Sequence, residues 1–171
     1  MPIPNLNDQV AINASLPKRE IFARWLIGVQ GFGETGDYAT LPERYLLAKI
    51  AVAYGCPRAE VDYISLPKQY VWSDIYNAIS GDTNVHYDWA EKQALGWILG
   101  ATYGDQNISQ FLAYYIDLPI RIQLALLVEL NGGTPPPPVP TETFFIEYND
   151  SVDVGDLLYD DGEGSAKLIY A

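Results

Sequence analysis

A single histidine, a single cysteine and a scatter of loop carboxylates are the residues of this chain best suited to chemistry. His86 lies in Thr83-Asn84-Val85-His86-Tyr87-Asp88, and an imidazole beside Asp82 or Asp88 has the composition of an acid–base pair. One histidine near acids also arises by chance, and Asp88 is well placed to open a helix, so His86 is read as structural. Cys56 stands between Gly55 and Pro57 at an expected helix end, where the C-terminal dipole disfavours a thiolate and argues against a nucleophile. Gly31-Phe32-Gly33-Glu34-Thr35-Gly36 has the glycine spacing of a dinucleotide fingerprint, which works only where a strand feeds a turn that opens a helix on the pyrophosphate. Here a helical pattern precedes it, and Glu34 and Asp37 would repel phosphate, so an inter-helix loop is expected. Asp150, Asp153, Asp156, Asp160, Asp161 and Glu163 could offer oxygens to calcium, but their spacing matches no EF-hand loop, and a solvated acidic face explains them. No catalytic, cofactor-binding or metal-ligating residue is assigned, and the chain is expected not to be an enzyme.

Composition narrows the partners. Over 171 residues, 22 acids face 10 bases, a formal charge of −12 that opposes nucleic-acid phosphate and anionic lipid. Direct nucleic-acid and membrane partners are therefore not expected. One cysteine makes neither an intramolecular disulfide nor a thiolate zinc cage, so stability must come from packing. The richest apolar run, residues 120–130, carries Arg121, Gln123 and Glu129, and no cleavable leader is evident at the N-terminus. A soluble chain with one principal domain is expected from its length and its 49% apolar content.

The elements that would position these groups are announced by a repeat. Ser15-Leu16-Pro17-Lys18-Arg19, Thr40-Leu41-Pro42-Glu43-Arg44 and Ser65-Leu66-Pro67-Lys68-Gln69 start 25 residues apart, with a variant at Asp117-Leu118-Pro119-Ile120-Arg121. Ser, Thr or Asp followed by proline predicts a helix start, with the hydroxyl or carboxylate as N-cap; Thr40 with Glu43 also fits a capping box. Asp88-Trp89-Ala90-Glu91 supplies a fifth start of the same logic. Apolar residues follow at helical spacing: Ile21, Phe22, Trp25, Leu26 and Val29, then Leu46, Leu47, Ile50, Ala51 and Tyr54, then Val71, Trp72, Ile75, Tyr76 and Ile79. The fourth stripe is Ala94, Leu95, Ile98 and Leu99, and the fifth Leu124, Leu127 and Val128, with Gln123 breaking its first slot. Gly31, Gly55, Gly81, Gly104 and Gly132 are the expected stops. Tyr38, Tyr63 and Tyr115 precede caps by two residues and are read as staples, within a load of thirteen tyrosines and four tryptophans that suits an interface-rich protein.

The predicted fold is mainly α: a compact bundle of about five short helices over residues 15–133, with an extended N-terminal arm over 1–14. Residues 134–140 hold five prolines and form a stiff linker. Residues 141–171 read as an acidic β-rich arm, with strands near Thr143–Tyr148, Val152–Tyr159 and Ala166–Tyr170. From Pro135 onward the charge is −7, against −5 for all that precedes it. A segment this small does not usually fold alone, yet it is too apolar for a solvated tail. Phe144, Phe145, Ile146, Tyr148, Leu157, Leu158, Leu168, Ile169 and Tyr170 are therefore the expected interface residues, docking on another chain by strand addition or wrapping.

In organisation, a compact body with terminal arms that lock onto neighbours, the chain resembles the small structural proteins of tailed-bacteriophage particles, such as neck adaptors or capsid-associated subunits. That resemblance implies a non-enzymatic subunit of a virion, made in the host cytoplasm, with other protein subunits, same or different, as partners in an oligomeric assembly. A first alternative is an acidic inhibitor or nucleic-acid mimic that fills a basic groove, motivated by the tail acids. A second is a small enzyme using loop carboxylates such as Glu34, Asp37 and Asp82, which requires a deep pocket containing two of them.

Overall fold

The computed structural model describes residues 8–104 and 108–133, with 108–112 described by backbone alone, and the backbones of strands 143–149, 154–160 and 165–169. The chain divides into two compact units, Met1–Pro135 and Pro136–Ala171. The first is helical, and the protein is mainly α. Its described helices are α1 (Asp8–Ser15), α2 (Lys18–Gln30), α3 (Thr35–Tyr38), α4 (Glu43–Ala53), α5 (Glu60–Ser65), α6 (Lys68–Ser80), α7 (Glu91–Thr102), α8 (Ile108–Asp117) and α9 (Ile120–Leu130). The second contains β1 (Thr143–Asn149), β2 (Val154–Asp160) and β3 (Ser165–Ile169), an antiparallel meander in the order β1-β2-β3.

The expectation of about five helices is corrected to nine among the described residues. The five striped helices are α2, α4, α6, α7 and α9; α1, α3, α5 and α8 lie in the segments between and before them. Helices of four or six residues, such as α3 and α5, complete too few turns to show a stripe. The extended arm over 1–14 is likewise corrected, because Asp8–Ser15 is helical and packs on α9. Its buried positions, Val10 and Asn13, are one turn apart, and one is polar. Asn13 earns its burial through partners far along the chain: an Arg24 Nη1 donates to its Oδ1 at 2.7 Å, and its Nδ2 donates to Glu129 at 3.5 Å.

The capping scheme is corrected too, and the repeat acquires a different meaning. The N-cap positions of α2, α4, α6 and α9 are Pro17, Pro42, Pro67 and Pro119, with φ near −55° and ψ of 140°, 146°, 141° and 143°, and without side-chain caps. Their carbonyls accept the first intrahelical bonds, as Pro17 does from Glu20 at 2.9 Å and Ile21 at 3.2 Å. Ser15 and Ser65 lie two residues upstream of the cap and reach backwards instead. Ser15 Oγ donates to Ile12 O at 2.7 Å and Ser65 Oγ to Asp62 O at 2.8 Å, so each closes the helix before it. Thr40 occupies the turn after α3, and α7 starts after Ala90 with no cap from Asp88. The repeated Ser/Thr/Asp-Leu-Pro unit is thus an elbow between one helix and the next. Its leucine, at Leu16, Leu41, Leu66 and Leu118, is half-buried against the core.

Around the core, α2 packs on α4, α4 on α6, α6 on α7, α7 on α9, and α9 returns to α2. The stripes point inward: Trp25, Leu47, Trp72, Ile75, Leu95, Ile98 and Leu127 are all buried. Trp25 and Trp72 stack at 6.2 Å with 9° between planes, and Phe22 lies 6.0 and 6.3 Å from them. Trp25 Nε1 donates to the Tyr54 hydroxyl at 3.0 Å, which in turn donates to Asn131 Oδ1 at 3.3 Å, joining α2 to the ends of α4 and α9. Gln123, the break in the fifth stripe, is fully buried because its Nε2 donates to Lys92 O at 2.9 Å and Tyr115 O at 2.7 Å. The glycine stops hold as read: Gly31, Gly55, Gly81, Gly104 and Gly132 all have φ between 69° and 80°, a conformation in which a Cβ is strained.

Candidate functional site

Four helices that begin with a charged residue bring those residues together. Lys18, Glu43, Lys68 and Glu91 open α2, α4, α6 and α7; Lys18 Nζ lies 3.3 Å from Glu43 and 2.9 Å from Glu91, and Lys68 Nζ lies 2.5 Å from Glu43. Charges alternate in sign along the chain of contacts. Burial would push the Glu43 carboxyl up, but the ammonium groups of Lys68 and Lys18 outweigh it and hold it below the ordinary value. For Lys18 burial works downward, and Glu91 and Glu43 outweigh it to raise the ammonium. Each charge is matched, so the cluster clamps helix ends rather than presenting a reactive group.

His86 is held between α6 and α7 by its backbone and by its ring. Its amide donates to Ser73 Oγ at 2.9 Å, and Nε2 lies 2.8 Å from Asp82 Oδ2. The ring stacks on Trp89 at 4.0 Å, Trp89 stacks on Trp97 at 5.2 Å, and Tyr76 meets all three edge-on. Asp82 is held down to about 2, first by the Asn84 backbone amide and then by His86. Trp89 takes the place that leucine has in the other elbows, which explains why the fourth start lacks the Leu-Pro pair yet still anchors to the core. The arrangement packs His86 as an aromatic plate with Nε2 on the Asp82 carboxylate. Asp88 is exposed and makes no cap for α7.

Cys56 is buried, and burial first, then the Asp74 charge, pushes its thiol up to about 12. Asp74 is itself occupied: Tyr63 Oη donates to it at 2.9 Å and Arg58 Nε at 3.2 Å. Burial and the neighbouring carboxylate both disfavour the thiolate that a nucleophile needs.

The Gly31–Gly36 run forms the α2–α3 connection and the start of α3, with no strand before it. Glu34 is the N-cap residue of α3 and Asp37 lies within α3, while Asp82 is in the α6–α7 connection. Beside the α2–α3 loop is an open recess of about 400 Å³ lined by Gln30, Phe32, Tyr38, Lys49, Val52, Ala53 and Glu60. None of Glu34, Asp37 and Asp82 lines it. The inter-helix loop expected for this glycine run is what forms, whereas Lys49, Val52 and Glu60 carried no signal, because two further helices bring them to the loop.

In the second unit the strand register sorts the expected interface residues. Phe144 pairs with Tyr159, Ile146 with Leu157, Tyr148 with Gly155, Leu157 with Leu168 and Tyr159 with Ala166. Directly paired residues share a face, so Phe144, Ile146, Tyr148, Leu157 and Leu168 belong to one face, which carries no charged position. Phe145, Leu158 and Ile169 belong to the other, with Glu147, Asp156, Asp160 and Lys167. Tyr170 lies outside the described residues, as do Asp150, Asp153, Asp161, Glu163 and the linker prolines.

Among the described residues no three His, Cys, Asp or Glu side chains gather as a metal site, and no helix is long and apolar enough to cross a membrane. No protein-family model, no curated protein and no solved structure matches the chain.

Proposed function

We propose that this protein is a non-enzymatic structural subunit of a multi-chain assembly, of the kind found in tailed-bacteriophage particles, and that it docks to neighbouring subunits through its terminal segments. Its body is a compact bundle organised on five long helices, its linker the proline run of 134–140, and its docking arm the acidic β segment. The observation that supports this reading best is the register of β1, β2 and β3: one face of a three-stranded sheet carries only uncharged positions, within a unit separate from the helical core. Three short strands bury too little to be stable alone, and such a face needs a cover. With Asp8–Ser15 built into the body, N-terminal docking rests on residues 1–7.

The register sharpens the test. Ile146→Asp places a charge on the uncharged face, and Lys167→Glu alters the mixed face. In the full-length chain, Ile146→Asp is expected to abolish recovery in the native multi-chain particle, at unchanged helical circular dichroism, while Lys167→Glu is recovered normally. Equal recovery of both variants overturns the arm as the docking element.

A further inference from the structure

The face of the bundle around the α2–α3 loop sets a projection beside a recess. Gly31 and Gly33 have φ of 80° and 106°, backbone that L side chains rarely adopt, and between them Phe32 is lifted out to 67% exposure. The projection is held in place. A methyl at Gly33 would lie 2.7 Å from Tyr38 Cε2, so the loop rests directly on that ring. Gln30 Nε2 donates both to Phe32 O at 2.7 Å and to the Tyr38 hydroxyl at 3.0 Å. An aromatic side chain on a braced backbone loses little further freedom on binding.

The recess of about 400 Å³ next to it has Val52, itself 43% exposed, and Ala53 on its walls. It has ample room for one phenyl ring, since engineered cavities of about 150 Å³ take benzene. On its rim Lys49 Nζ and Glu60 Oε1 stand 2.9 Å apart, with side chains 32% and 38% exposed. The patch therefore offers an ion pair already closed within the copy, whose partners can exchange across an interface, together with a knob and a hole of which Phe32 is also one wall. A partner of either net charge would meet one like charge here. A second copy turned about a two-fold axis would not: Lys49 faces Glu60, Glu60 faces Lys49, and each Phe32 faces a recess.

We propose that this face is a self-pairing surface, on which two copies of the chain pack about a two-fold axis with each Phe32 in the other's recess and the Lys49 and Glu60 charges crossed. It uses the helical body alone and is independent of the docking arm.

Sedimentation velocity on the full-length chain, over a concentration series at moderate salt, is expected to show a monomer–dimer equilibrium. Phe32→Asp should raise its midpoint concentration roughly tenfold or more at unchanged helical signal, because Phe32 supports no core. Lys49→Glu alone and Glu60→Lys alone should each weaken pairing, since each sets like charges face to face. An equimolar mixture of those two variants should restore it, because the mixed pair is complementary at both contacts. A chain that stays monomeric, a Phe32→Asp variant that pairs like the wild type, or a mixture no stronger than its components overturns the proposal. Dimers abolished by Ile146→Asp but indifferent to Phe32→Asp would overturn it while leaving the docking arm intact.

Discussion

Lys18 and Glu43 are 25 residues apart in the chain and 3.3 Å apart in space, and each is the first residue of its helix. Lys68, another 25 residues on, closes on the same carboxylate. The spacing of the repeat is thus read out as one alternating charge cluster at the helix starts.

Removing the shared anion should loosen that cluster. Glu43→Gln is expected to lower stability by about 0.5–1 kcal/mol, a modest effect because all the groups keep some exposure. Urea melts should show the gap between variant and wild type shrinking in 1 M salt, where surface pairs are screened over about 3 Å. The sign of the pH dependence follows from the lowered Glu43 carboxyl. Its contribution is present above the ordinary value of 4.5 and is lost as pH falls through the lower folded value. The Lys18 contribution is present below 10.5 and is lost as pH rises through its raised folded value. Glu43→Gln should flatten the acid limb of the stability curve.

The elbow geometry predicts which residues of the repeat matter. Thr40→Ala should cost no more than a change at the first residue of the short α3, Thr35→Ala, since the cap of α4 is Pro42 and carries no side-chain bond. Leu66→Ala should cost on the order of 1–2 kcal/mol, as a half-buried leucine loses its contact with the core. Parallel denaturant melts of the three variants decide it, and a Thr40→Ala loss as large as that of Leu66→Ala would restore the hydroxyl cap.

Gly28 is where α2 meets the chain just past α9. A methyl there would lie 2.7 Å from Gly133 N and 2.8 Å from Asn131 O, backbone atoms that cannot rotate away. Gly28→Ala gains helix propensity of about 1 kcal/mol, but the clash should win, for a net loss of about 1–3 kcal/mol. Thermal melts test the sign: a stabilised variant would show that the close approach relaxes freely.

Asp82 gives a second acid-range signal. Held down to about 2 by the Asn84 amide and by His86, it contributes stability above 3.8 that is lost as pH falls through about 2. Carboxyl titration by NMR should find it among the most acidic side chains, and Asp82→Asn should remove its share of the pH dependence. A midpoint near 3.8 for this group would mean that the loop bonds do not persist in solution.

What the sequence by itself determined is local in origin. The long helices follow from stripes of period 3.6, and their ends follow from glycines that alone adopt positive φ without strain, so Trp25, Ile75 and Gly81 were legible from neighbours within a few residues. The direction of the Ser15 and Ser65 hydroxyls was decided by something the pattern does not contain, a short helix ending immediately upstream. Asn13 and Gln123 read as part of an extended arm and a defect in a stripe, because the groups that hold the Asn13 amide, on Arg24 and Glu129, and those that accept from Gln123 Nε2, at Lys92 and Tyr115, arrive only when separate helices pack. The recess beside Phe32 has the same character. Its glycines were visible as a loop signal, but Lys49, Val52 and Glu60 acquire meaning only where α4 and α5 carry them to that loop, since a surface is a property of elements brought together and no short stretch of chain encodes it.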